Sequence, residues 1–173
     1  MANISAREAF AVPTTLSPRL AALQAILEDE IPICRQMGIA VHAGDDDGLV
    51  LRMPLVPNLN HQQTAFAGSL NALCTIAGWG SVFLLLKDLG RNGMIVIRRS
   101  TIRYHEPVTL ADVMARALPV ATEARQYFLE MLDDKKQAKL DLTVEIAGTE
   151  RTLVSFGGSY VVVQDGCSKD VLI

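Results

Sequence analysis

From Met53 to Leu86 the chain carries no Asp, Glu, Lys or Arg. A charge-free run of that length belongs either in a lipid bilayer or inside a protein. Its first part, Pro54 to Thr64, holds two prolines, two asparagines, one histidine and two glutamines, whose polar groups hydrocarbon would leave unpaired. The candidate span therefore shrinks to Phe66 through Leu86. There Ser69, Asn71, Thr75, Gly78, Gly80 and Ser81 interrupt the apolar residues, a mixture that suits a helix packed in protein better than one facing lipid. We expect a helix from Phe66 to Lys87, about twenty residues and ~30 Å long. Because it is apolar on nearly every side it has to be enclosed, and a chain of 173 residues does this most readily by curling a sheet around it.

The remaining sequence supplies that sheet. Ile39 to Ala43 and Leu49 to Leu55 read as two strands around the turn Gly-Asp-Asp-Asp-Gly, whose residues accept the backbone angles of a hairpin. Adjacent carboxylates on so tight a turn diverge, so Asp45, Asp46 and Asp47 are read as turn residues and not as a metal site. Gly93 to His105, Ala111 to Val120, Ala138 to Ala147 and Thr152 to Val163 are rich in Val, Ile, Thr and Tyr and give four more strands. Ahead of them all, Ser17 as N-cap and Pro18 at the first helical position open a helix striped by Leu20, Leu23, Ile26 and Leu27, which Pro32 limits. Between the fourth and fifth strands, Tyr127, Phe128, Met131 and Leu132 recur at helical spacing, and this short amphipathic helix is expected to cover a sheet edge, with a substrate lid as the alternative. The predicted architecture is α+β, an antiparallel sheet wrapped around a long central helix, in one domain spanning 1–173 with a short N-terminal arm over 1–16.

Composition narrows the partners. The chain has 16 basic and 19 acidic residues for a net charge of -3, which offers no broad cationic field to a nucleic-acid backbone. Cys34, Cys74 and Cys167 are odd in number and lack the paired spacing of a zinc site or a disulfide scaffold. The first thirteen residues contain Arg7 and Glu8 and no continuous apolar core of an export signal. A cytoplasmic location is expected, with neither metal nor membrane.

Chemistry concentrates where the polar loop Pro54 to Thr64 feeds the buried helix. Backbone N–H groups at a helix start lack intrahelical partners, and the small residues Ala67, Gly68 and Ser69 let a ligand approach them. This suits an oxyanion hole, to which the Asn60 amide can add a second donor or orient water. The same residues also serve as a turn and as packing relief, and spacing alone leaves both readings open.

The run Asn60-His61-Gln62-Gln63-Thr64-Ala65-Phe66-Ala67-Gly68-Ser69-Leu70, followed by Ala77-Gly78-Trp79-Gly80, resembles the hotdog-fold thioesterase family of the YiiD C-terminal-domain type, which includes malonyl-carrier-protein decarboxylases. The likeness extends from the first helix to Val163. It implies a hotdog fold, a dimer with sites formed between subunits, and activity on acyl groups held as thioesters on coenzyme A or an acyl carrier protein. Coenzyme A or phosphopantetheine then enters as part of the substrate and not as a cofactor. Hotdog relatives carry an asparagine, several residues, then His-Gly-Gly at the start of the central helix. On that pattern Asn60 matches the asparagine and Gly68 the second glycine, while Phe66 replaces the histidine and Ala67 the first glycine. Many hydrolytic relatives also place a water-activating carboxylate about two turns into the helix, yet the corresponding position here is close to Thr75, and no Asp or Glu precedes Asp88. That departure favours decarboxylation of a malonyl thioester, which needs chiefly a stabilised enolate oxygen. Hydrolysis, with His61 or Glu106 as base, and non-catalytic carrier binding are the alternatives.

The expected catalytic set is therefore Asn60, His61, Ala67 and Gly68, with Asn58, Thr64, Phe66 and Ser69 contacting substrate. Along the strand Met94 to His105, alternation groups Arg98 with Val96, Ser100 and Ile102, and Arg99 with Thr101 and Arg103. Arg99 and Arg103 are expected to meet substrate phosphates or the acidic surface of a carrier protein, or else form a solvated face.

Overall fold

A computed structural model describes residues 16–164. The arm read over 1–16 and Cys167 lie outside the described residues, apart from Leu16. Two helices come first, α1 (Pro18–Asp29) and α2 (Pro32–Met37), then the hairpin β1 (Ala40–Asp45) and β2 (Gly48–Pro54). A 3-10 turn at Val56–Asn58 leads through the polar loop into α3 (Ala67–Asp88), followed by β3 (Met94–Tyr104), β4 (Asp112–Ala117), α4 (Thr122–Lys135), β5 (Gln137–Ala147) and β6 (Thr152–Val163). The six strands form one sheet in the order β1-β2-β4-β5-β6-β3, antiparallel at every junction. This is the α+β hotdog architecture that the sequence implies.

The sheet curls around α3, which packs on β2, β4, β3, β5 and β6, while α1 closes its other side. Leu70, Leu73, Cys74 and Ala77 join α1, β1, β2 and β4 in one apolar cluster. Val82 and Leu86 join α4, β5 and β6 in a second. The helix is long and apolar enough to cross a membrane, but half of its most apolar window is buried inside the protein, as befits a core helix.

Three local expectations change. Pro32 does more than limit α1: it stands at the start of α2, where proline's fixed φ and missing N–H suit a first helical turn. The second helix was not foreseen. The amphipathic helix α4 packs on β5, an interior strand, and buries Phe128 and Leu132 beside the C-terminal end of α3. It therefore covers an interior strand and the C-terminal half of α3 instead of an edge. The edges are β1 and β3. Finally, β3 carries a bulge between Ile97 and Arg99. An extra residue in a strand breaks the two-residue period, so Val96, opposite Val161, shares a face with Arg99, opposite Ser159, and not with Ile102.

Candidate active site

An isolated bridge between Leu59 and Ala65 closes the polar loop into a short hairpin. The Phe66 N–H donates to the Asn58 carbonyl at 2.7 Å and the Ala65 N–H to that of Val108 at 2.8 Å. Asn60 organises the turn. Its Oδ1 accepts from the Gln62 and Thr64 N–H groups at 2.8 and 3.2 Å, and its Nδ2 donates to Thr64 Oγ1 at 2.8 Å. Gln63, with φ 61°, completes the reversal in the left-handed region. A primary amide nitrogen carries two hydrogens, so one Nδ2 hydrogen of Asn60 stays available beyond these bonds. Asn60 is half-buried at the mouth of α3.

The helix start is uncapped. Phe66 occupies the N-cap with no side-chain acceptor, and the first helical bond runs from the Leu70 N–H to the Phe66 carbonyl at 3.1 Å. The N–H groups of Ala67, Gly68 and Ser69 therefore have no acceptor within the helix. Ala67 and Gly68 are exposed. The Phe66 ring, 54% exposed, lies against Gly68, where an added Cβ would stand 3.0 Å from its Cζ. On the opposite side the Tyr104 hydroxyl of β3 donates to the Ala67 carbonyl at 3.1 Å. Partial burial, with a smaller electrostatic contribution from Cys74, raises the Tyr104 pKa above its ordinary value.

The structure thus sets Phe66, Ala67, Gly68 and Ser69 at the N-cap and first turn of α3, with Thr64 just ahead of them bonded to Asn60 and with His61 exposed on the same loop. Asn58 does not belong. It is 3% exposed, and its Nδ2 donates at 2.8 Å to both the Met37 and Pro54 carbonyls. Its two donor hydrogens are spent tying α2 and β2 together beneath the loop, so the expected substrate contact is a structural one. Arg99 and Arg103 also fall elsewhere, since they register with Ser159 and Ser155 on the sheet face away from α3.

Two residues escaped the sequence reading. Tyr104 ends the strand on the helix-facing side, in step with Ile102, and alternation after the bulge would have pointed to it. Asn71 follows Ala67 by one helical turn on the same face. Its Oδ1 is buried without a hydrogen-bond partner, an acceptor ready for a donor from water or a ligand. Cys74 is no nucleophile here: burial pushes its thiol up to about 12. Burial likewise pushes Cys34 to about 11.

Such a terminus, with free N–H groups, one spare amide hydrogen and no carboxylate on α3 before Asp88, can hold an oxygen that gains negative charge. The family model described as "Putative thioesterase (yiiD_Cterm)" matches residues 20–164. A Shewanella oneidensis structure described as a "putative thioesterase" is 30% identical, with TM-score 0.72 over 84% of this chain and 97% of that one. A protein of unknown function from Chlorobaculum tepidum is 27% identical, with TM-score 0.79 over 84% and 94%. A Pseudomonas aeruginosa structure at 16% identity, TM-score 0.70 over 83% and 95%, speaks for the fold alone. The chain belongs to the YiiD C-terminal-domain family of the hotdog thioesterase superfamily.

Proposed function

We propose that the protein acts on an acyl thioester of coenzyme A or an acyl carrier protein, and that it decarboxylates a malonyl thioester. The observation that carries this reading is the open start of α3 beside Asn60, on a helix that offers donors and no base. In the reaction the bond between the α-carbon and the carboxylate breaks and carbon dioxide leaves. The electron pair moves onto the thioester oxygen as an enolate, which a solvent proton converts to an acetyl thioester. The N–H groups of Ala67 and Gly68 and the spare Asn60 hydrogen would stabilise that enolate. Hydrolysis would need an activated water. Glu106 is tied to Arg151 at 2.6 Å, Asp112 to Arg52 at 2.7 Å, and no hydrogen bond within the described residues fixes the His61 ring.

Incubation with malonyl and simple acyl thioesters of both carriers, with products identified by mass, tests this directly. We expect acetyl thioester with its carrier bond intact. Rapid release of free thiol from a simple acyl thioester would establish hydrolysis instead, and tight binding without either product would leave a carrier-binding protein.

The same reading makes the protein a cytoplasmic homodimer. β3 is an eleven-residue edge strand whose Tyr104 end reaches the start of α3 at the Ala67 carbonyl. An unpaired edge of that length presents a row of backbone donors and acceptors to a second strand, and a second copy there would stand beside the open site. Light scattering at micromolar concentration should give twice the 18.8 kDa chain mass. A monomer throughout that range would overturn the shared-site arrangement.

A further inference from the structure

The bulge in β3 does something that a regular strand cannot. Successive side chains of a regular strand point to opposite faces, yet Arg98 and Arg99 line one concavity of about 420 Å³ together with Lys139 and Ser159. Lys139 and Ser159 alternate with the buried Leu140 and Tyr160, so this concavity opens on the outer face of the sheet, away from α3. Bulges re-aim side chains in this way.

The charges gathered there are largely uncompensated. Arg98 and Arg99 are exposed and form no ion pair among the described residues. The carboxylate of Asp141, which interacts with the Arg99 charge, is held by Lys139 at 2.8 Å and also accepts from the Ser159 hydroxyl. These two hydrogen bonds, with a smaller contribution from the Arg99 charge, keep the Asp141 carboxyl below its ordinary range. Three cations against one carboxylate leave a local surplus of two positive charges in a chain whose net charge is -3. Two guanidinium groups side by side offer forked donors that match the oxygens of a phosphate.

We propose that Arg98, Arg99 and Lys139 form a phosphate-binding site on the outer face of the sheet, created by the β3 bulge and separated from the α3 terminus by the sheet itself. The phosphate comes either from the nucleotide end of coenzyme A or from a small free phosphate. Arg103, which sits further along the strand opposite Ser155, lies outside the concavity and serves as the control.

Titration of the full chain with pyrophosphate at low ionic strength, followed calorimetrically, is expected to show saturable binding that weakens as salt rises. Arg98→Ala and Arg99→Ala should each weaken it by about tenfold or more, while Arg103→Ala leaves it nearly unchanged. Circular dichroism melts confirm that each surface variant is folded. Parallel titrations with coenzyme A, dephospho-coenzyme A and pantetheine separate the sources. If coenzyme A loses affinity in the Arg98 and Arg99 variants while pantetheine does not, the nucleotide phosphates occupy the site. If coenzyme A is indifferent while pyrophosphate responds, the ligand is a free phosphate. Absence of saturable pyrophosphate binding by the unaltered protein, or an equal loss in Arg103→Ala, overturns the site in favour of a diffuse surface field. None of these readouts depends on turnover, so they stand apart from the decarboxylation reading.

Discussion

Asn60→Asp is expected to lower turnover of a malonyl thioester by about a hundredfold to a thousandfold while leaving the protein folded. The substitution separates the two jobs that the side chain performs. A carboxylate still accepts from the Gln62 and Thr64 N–H groups, and the Thr64 hydroxyl can turn to donate where it now accepts from Nδ2. The loop is therefore retained, and a negative charge near the start of α3 is tolerated by the helix dipole. Both amide hydrogens are lost, however, and the new charge opposes the one that develops on the enolate oxygen. Asn60→Ala removes loop bonds and donor together, so it should lose turnover and thermal stability at once. Measuring kcat and melting temperature for both variants distinguishes the roles. An Asn60→Asp protein that keeps most of its turnover would remove Asn60 from the chemistry and leave it as the organiser of the turn.

The family pattern already set Asn60 apart from Asn58, but not the physical reason for the difference. By residue type and loop position alone the two are alike, and it is the course of the chain that makes Asn58 a buried tie between α2 and β2 and Asn60 a half-buried amide with a hydrogen to spare. The central helix was legible because a run without charges has few places to go, and the strands because β-branched residues and turn residues mark them locally. Strand order was not. β3 pairs with β6, about sixty residues later in the chain, and this long-range pairing leaves β3 at the edge and β5 inside. The helix α4, expected to cover an edge, therefore rests on an interior strand. The bulge at Arg98 escaped for a related reason: alternation presumes a regular strand, and an extra residue is visible only in the register with a partner. Arg99 was rightly separated from Ile102, but its companion in the concavity is Arg98 and not Arg103.

Gly78→Ala should destabilise the protein by about 2 kcal/mol or more, although the same change in an exposed helix would stabilise it by up to about 1 kcal/mol. The reason lies in Tyr160. Its ring is fully buried and its hydroxyl donates to the Thr75 carbonyl at 2.8 Å. A Cβ on Gly78 would sit 2.7 Å from the ring Cζ and closer still to the hydroxyl oxygen. The same ring also lies close against Gly158, where an added Cβ would stand 2.8 Å from Cε2, so it is seated between two glycines, and its burial leaves it little room to move. Either α3 lifts from the sheet or Tyr160 gives up its hydrogen bond, and a buried hydroxyl without a partner itself costs about 1–3 kcal/mol. For a chain of this size the melting temperature should fall by about 4–8 °C. The double variant Gly78→Ala/Tyr160→Phe, which removes the atom that collides first, should be more stable than the sum of the two single changes predicts. A Gly78→Ala protein as stable as the parent, or a strictly additive double variant, would show that α3 is free to shift on the sheet. In that case the position of its N-terminus, and with it the donors at Ala67 and Gly68, would not be set by the fit of the helix against Tyr160.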